Sequence, residues 1–249
     1  MGITPNFDSN NYELNQDSKV GVMLIHGFAS TTFEMSSLRN FLAQKGLRVS
    51  ARNLPGHGTT VDNCNATKYE EWLTATEQNL AELSNDCEKL YVVGFSMGAI
   101  LALNLATLFP IEKLVVACPV MSFKNSFEVN VLVRLFNKII VKKDKKKHHS
   151  EYKNIKNYSG YDQYPLIALN EFRKLNNFVF KKLNKVKCPL LYIHSKKDRL
   201  SLSKNIDLIM NNVKSKDKQK LILNNTTHHI FYDNPERELL LSTIYKFIS

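Results

Sequence analysis

The sequence predicts an α/β fold: a doubly wound, mostly parallel sheet with helices on both faces and a small inserted helical cap. Three observations carry this. Short β-branched runs of 4 to 6 residues recur along the chain, the length of buried parallel strands. Longer amphipathic segments separate them, as crossover helices do. Between residues 121 and 187 the alternation stops.

Residues 20–25 form the first strong strand. Residues 33–45 set Leu38, Phe41 and Leu42 on one helical face and stop at Gly46. A strand over 47–52 follows, then a helix over 70–83 with Leu73, Leu80 and Leu83 inward, then a strand over 90–93. Residues 98–109 are apolar nearly all round and end at Pro110, as a helix buried beside a sheet does. After a strand over 113–117 come two helical apolar patches, 129–136 and 166–175, with no strand–helix pair; this span is read as the cap. Strands over 190–194 and 220–223 resume the rhythm, and Asn234-Pro235 opens a last helix with Leu239, Leu240, Ile244 and Phe247 inward. The domain reading is therefore a core over 1–120 and 188–249 with a cap over 121–187.

Composition narrows the class. Hydrophobic residues make up 43% of 249 positions and charged residues 23%, so a packed core is available and a disordered or collagen-like chain is excluded. No apolar run approaches the roughly 20 residues that cross a bilayer. Residues 1–19 lack the basic start and apolar centre of a secretory signal, so cytoplasmic residence is expected. The four cysteines form no C-x-x-C pair and no cluster with histidines at metal-ligand spacing, so free thiols and no metal or cofactor are expected.

The formal charge of +11 is confined to one segment. Residues 124–187 hold 14 Lys and 2 Arg against 5 acids, and the rest of the chain is neutral. Aromatic residues are not organised around the lysines, so no nucleic acid is expected. The densest part, KKDKKKHH over 142–149, reads first as a solvated surface and second as a weak attraction to anionic lipid.

Chemistry enters at Gly94-Phe95-Ser96-Met97-Gly98, set between a predicted strand and a predicted helix. A nucleophile on such a turn is held in a strained backbone, and side chains at 94 or 98 would collide with their neighbours. The turn projects Ser96 beyond the carboxyl edge of the sheet, where ligands bind in open α/β folds. A serine hydroxyl needs a base, and the base needs an orienting acid. Asp198 is the first carboxylate after the strand at 190–194, and the pair His228-His229 follows the strand at 220–223. The transition-state oxyanion needs two preorganised donors. The backbone N–H groups of Met97, at a helix N-terminus, and of Phe28, after Gly27, are the candidates, while His26 and His57 read as structural loop residues.

These residues resemble the α/β-hydrolase family, and within it the bacterial carboxylesterase and monoacylglycerol lipase branch, through LIHGF, NLPGHG, GFSMG and the Asp198 and His228 loops. The resemblance implies a core of about seven strands and cofactor-free ester hydrolysis through an acyl-enzyme. In it Ser96, Asp198 and His228 take the catalytic roles, with Phe28 and Met97 as oxyanion donors. It also chooses His228 over His229, because His228 lies five residues before the acid Asp233. The chain departs from the family pattern at Thr227, where glycine is usual, and at Lys196-Lys197, where small residues are.

The leading function is a serine carboxylesterase for small-molecule esters of short to medium acyl chains, monoacylglycerols among them. A thioesterase or cofactor-free perhydrolase on the same triad stays open, because Ser-Met at the elbow occurs in several branches of the fold. A hydrolase-shaped module that binds a ligand or an anionic surface is the rival from another class.

Overall fold

The structure is a computed structural model that describes residues 7–145, 160–232 and 234–249. Lys146, Lys147, His148 and His149 of the basic run, and Asp233, lie outside the described residues.

Seven strands form one sheet in the order β1-β3-β2-β4-β5-β8-β9. Six run parallel: β2 (Val20–Ile25), β3 (Arg48–Ala51), β4 (Lys89–Phe95), β5 (Lys113–Ala117), β8 (Leu190–Ser195) and β9 (Lys218–Leu223). They coincide with the predicted strands to within two residues at each end. The seventh, β1 (Tyr12–Leu14), adds antiparallel to the edge at β3, and no sequence signal marked it: three residues are too few for a period to show.

Both faces are covered, which is why the central strands are apolar throughout. On one face α2 (Val61–Ala66), α3 (Tyr69–Asp86) and α4 (Met97–Leu105) pack with Val61, Trp72, Leu80 and Ile100 in the core. All nine residues of α4 are buried, as its uniform apolarity predicts. On the other face α1 (Ser36–Gln44) and the C-terminal helix Arg237–Ile248 cover the sheet with Leu38, Leu42, Leu240 and Ile244. Leu239, expected inward, is instead 50% exposed; the helix begins at Arg237 rather than at Pro235, and its buried stripe runs through Leu240, Leu241, Ile244, Phe247 and Ile248.

Between β5 and β8 the chain leaves the sheet. It forms a π-helical turn over Glu128–Val133 that continues into α5 (Arg134–Phe136), a two-stranded antiparallel ribbon of β6 (Lys142–Asp144) and β7 (Gln163–Pro165), and the helix Leu166–Phe180. The helical patches were expected and the ribbon was not, because each of its strands is three residues long and finds its partner some twenty residues away. The solvated reading of the basic run also fails at one position. Lys145 is 1% exposed, and Lys142 and Lys143 are tied to Asp62 and Glu128.

Candidate active site

Three strand ends converge at the carboxyl edge of the sheet. β4 ends at Phe95, and Ser96 follows with φ 54° and ψ −114°, a conformation rare for a residue with a Cβ. The close approach that holds it there requires glycine on both sides. A Cβ on Gly94 would lie 2.3 Å from the Gly98 carbonyl oxygen, and one on Gly98 would lie 2.2 Å from that of Ile25. The strand, the turn and the helix therefore pack backbone on backbone, and the Ser96 side chain is presented at the edge.

His228 stands in the loop after β9. Its Nε2 is 3.1 Å from Ser96 Oγ and its Nδ1 is 2.7 Å from Asp198 Oδ2. The other Asp198 oxygen accepts the N–H groups of Leu200 and Ser201, each at 2.8 Å. Burial alone would raise the Asp198 pKa; His228 and these two N–H groups outweigh it and hold the carboxyl below its ordinary value. The departures at Lys196-Lys197 and Thr227 do not displace the site. Both lysines are exposed while Asp198 is buried, and Ser195 Oγ at the end of β8 donates to the Thr226 carbonyl, tying the two loops together.

The loop after β2 supplies the opposite wall. His26 is structural, as expected: its Nε2 accepts the Leu54 N–H at 3.0 Å, which leaves Nδ1–H to donate to the Gly27 carbonyl at 2.8 Å. The Gly27 N–H donates to Glu34 Oε2 at 2.6 Å. Among the described residues neither the Phe28 nor the Met97 N–H donates to a protein acceptor, and Met97 opens α4, where the helix leaves N–H groups unpaired.

Three neighbours of this site carried no sequence signal. Glu34 is 2% exposed and lines the pocket, with Oε1 3.7 Å from His229 Nδ1. Lys145 is buried nearby. Cys118, at the end of β5 with φ 45°, places its thiol within 4.8 Å of ligand atoms of Asp198 and His228. Burial, and then Asp198, push that thiol well above its ordinary pKa.

Buried histidines make acid stability a property of this region. Burial lowers the pKa of His26, His57 and His229 below the ordinary 6.5, and His57 falls to about 3, with His26 adding to the effect. A depressed histidine binds its proton more readily in the unfolded chain. Its contribution to stability is therefore complete above pH 6.5 and is lost as pH falls toward the folded value, at about 1.4 kcal/mol per pH unit per group. The thermal midpoint is expected to fall steeply between about pH 6.5 and 4.5; a midpoint constant over that window contradicts these assignments.

The cavity above Ser96 has a volume of ≈ 610 Å³, within the range of small-molecule sites. Phe28, Val120, Phe123, Val129, Leu169 and Phe172 give it an apolar wall, while Lys124, Asn125, Glu128 and Lys143 form a polar rim.

Comparison with known proteins agrees with this architecture. The chain is 27% identical to a thermostable monoacylglycerol lipase from Bacillus sp. (strain H-257), over 88% of each chain. It is 23% identical to a carboxylesterase from Bacillus subtilis (strain 168), over 91% of each. A solved structure from work on LipS and LipT, two metagenome-derived lipolytic enzymes, superposes with a TM-score of 0.88 at 25% identity, covering 99% of this chain and 98% of that one. The family Hydrolase_4, described as serine aminopeptidase, S33, matches residues 16–235. With that match over most of its length, and with this sheet and its turn at Ser96, the chain belongs to the Hydrolase_4 family and is an α/β-hydrolase.

Proposed function

We propose that the protein is a serine carboxylesterase that hydrolyses short- to medium-chain acyl esters, monoacylglycerols among them, through an acyl-enzyme on Ser96. The observation that carries this reading is the unbroken hydrogen-bonded line from Ser96 through His228 to Asp198, opening into an apolar cavity. His228 takes the hydroxyl proton as Ser96 Oγ attacks the acyl carbon, and Asp198 holds the imidazole in the tautomer whose Nε2 accepts. The Phe28 and Met97 N–H groups receive the oxyanion. The tetrahedral intermediate collapses, His228 protonates the departing alcohol, and water then releases the acid by the same steps in reverse roles.

The family's description names a peptidase, whereas the two curated relatives are named a lipase and an esterase. The apolar wall favours an acyl chain. The wild-type protein is expected to turn over p-nitrophenyl esters from acetate to decanoate with an optimum inside that series, and to leave aminoacyl p-nitroanilides intact. Preferred cleavage of the anilides contradicts the ester assignment.

The cap also supports a partner. Phe127, Leu135, Ile139 and Ile140 are 58–78% exposed on one short stretch, interleaved with Arg134 and Lys138. Contiguous exposed apolar surface beside cations suits an anionic lipid–water interface. Among the described residues no helix is long and apolar enough to cross a membrane, so the contact is peripheral. Leu135→Asp with Ile139→Asp is expected to lower binding to phosphatidylglycerol-containing vesicles by about tenfold or more. Equal binding by the variant, or no binding by wild type at low salt, removes the lipid partner. Cytoplasmic residence, with four free thiols, completes the proposal.

A further inference from the structure

Lys145 comes from the most basic stretch of the chain, yet it is among the largest fully buried side chains. A buried ammonium costs several kcal/mol unless acceptors and negative charge surround it. Its Nζ lies 3.4 Å from the Ala29 carbonyl oxygen and 5.1 Å from the centre of the Tyr164 ring. Burial pulls its pKa down to about 7, and Glu34 is the foremost of the anionic groups that oppose the pull.

The Ala29 carbonyl accepts a second bond from the same side, from the Tyr161 N–H at 3.2 Å. Tyr161 is fully buried, and its hydroxyl donates to the Gly56 carbonyl at 2.6 Å. The Lys145 N–H in turn donates to the Asp162 carbonyl at 3.0 Å, so both donors sit at one end of the β6–β7 ribbon. Ala29 has φ 54°, a left-handed conformation that a residue with a Cβ keeps only when its surroundings impose it. On the core side of the same loop, Glu34 Oε2 holds the Gly27 N–H. Phe28, whose N–H is the proposed oxyanion donor, lies between the two grips.

Charge makes the arrangement matter for chemistry. A Cβ built on Gly27 would meet Glu34 Oε2 at 2.9 Å and Ser96 Cβ at 3.2 Å, so the carboxylate and the nucleophile face each other across that glycine. A carboxylate there opposes the negative charge that develops in the transition state unless a cation balances it.

We propose that Lys145 is a positioning residue: held on the Ala29 carbonyl, its amino group sets the oxyanion loop and, in its protonated form, balances Glu34, so that turnover depends on the seating of the β6–β7 ribbon. This rests on the acyl-transfer reading of Ser96.

The test compares wild type, Lys145→Met and the double variant Lys145→Met with Glu34→Gln, all in the full chain. The readouts are kcat and KM on p-nitrophenyl butyrate and the affinity for a trifluoromethyl ketone, which forms an oxyanion on the serine. Lys145→Met is expected to lower kcat by about thirtyfold with KM within about threefold, and to weaken the ketone in parallel. The double variant is expected to recover about fivefold or more of the lost kcat, a rescue that a merely structural role for Lys145 would not give. Lys145→Gln, which keeps a donor for Ala29 without the charge, replaces Lys145→Met if that variant does not fold, with the same expected rescue. A kcat within twofold of wild type in the lysine variant, or no gain from Glu34→Gln, overturns the inference. If wild-type turnover survives Ser96→Ala, the acyl-transfer reading falls and this inference with it; if turnover depends on Ser96 but ignores Lys145, only this inference falls.

Discussion

Ser96→Ala is expected to lower kcat on a p-nitrophenyl ester by about 10⁴-fold or more, with KM changed by less than about fivefold. The asymmetry follows from geometry. In the proposed mechanism Ser96 Oγ bonds to the acyl carbon, and it is the atom that His228 Nε2 meets at 3.1 Å, so removing it deletes the proposed covalent route. The proposed acyl site lies elsewhere, on the apolar wall of Phe28, Phe123 and Phe172. Fold stability should hardly change, because the strained φ of 54° is imposed by packing at Gly94 and Gly98 and alanine retains the same Cβ. Residual hydrolysis above the uncatalysed rate is expected from the oxyanion donors and the pocket alone. Steady-state kinetics with matched thermal midpoints checks this; a loss of less than about tenfold in kcat would remove Ser96 from the chemistry.

Asp198→Asn is expected to cost about 10⁴-fold in kcat without loss of fold. The reason is the direction of its hydrogen bonds. Oδ1 accepts two N–H groups, from Leu200 and Ser201, so an asparagine must keep its carbonyl oxygen there and turn its NH₂ toward His228. An NH₂ donor at 2.7 Å forces Nδ1 to accept, which places the imidazole proton on Nε2. That nitrogen then faces Ser96 as a donor and cannot take its proton. Asp198→Ala, which frees the histidine to choose its tautomer, should therefore be no worse in kcat than the isosteric variant despite the cavity it leaves. Comparable kcat in wild type and Asp198→Asn would show that the acid does not set the tautomer.

The sequence made the sheet and the candidate site legible for one reason: each candidate side chain stands where a strand stops. β4 and β8 are largely apolar runs with sharp ends, β9 closes on Leu221-Ile222-Leu223, and Ser96, Asp198 and His228 follow those ends in the order that brings them to one edge. The two glycines around Ser96 could be read because the reason they are glycine is local, a backbone contact within one turn and its neighbouring strand.

What escaped reading is non-local. β1 and the ribbon of β6 and β7 are three residues each, and only their partners make them strands. Leu239 looked inward because a helix register cannot be fixed without knowing where the helix begins. Glu34 and Lys145 gave no signal at all. A glutamate in a turn and a lysine in a lysine-rich run are ordinary solvated residues until a fold brings Lys145 Nζ to a carbonyl 116 positions away. Their burial is a property of the assembled loops rather than of either segment, so composition pointed toward solvent where packing points toward the oxyanion loop.

The central claim is that one serine hydroxyl is the nucleophile, and covalent trapping tests it most directly. The protein is treated with a fluorophosphonate, digested, and the modified peptide sequenced by mass spectrometry. The account predicts a single phosphonyl adduct on Ser96, formed in step with loss of esterase activity and strongly slowed in Asp198→Asn. An adduct on another residue, or full inactivation with Ser96 unmodified, would contradict it.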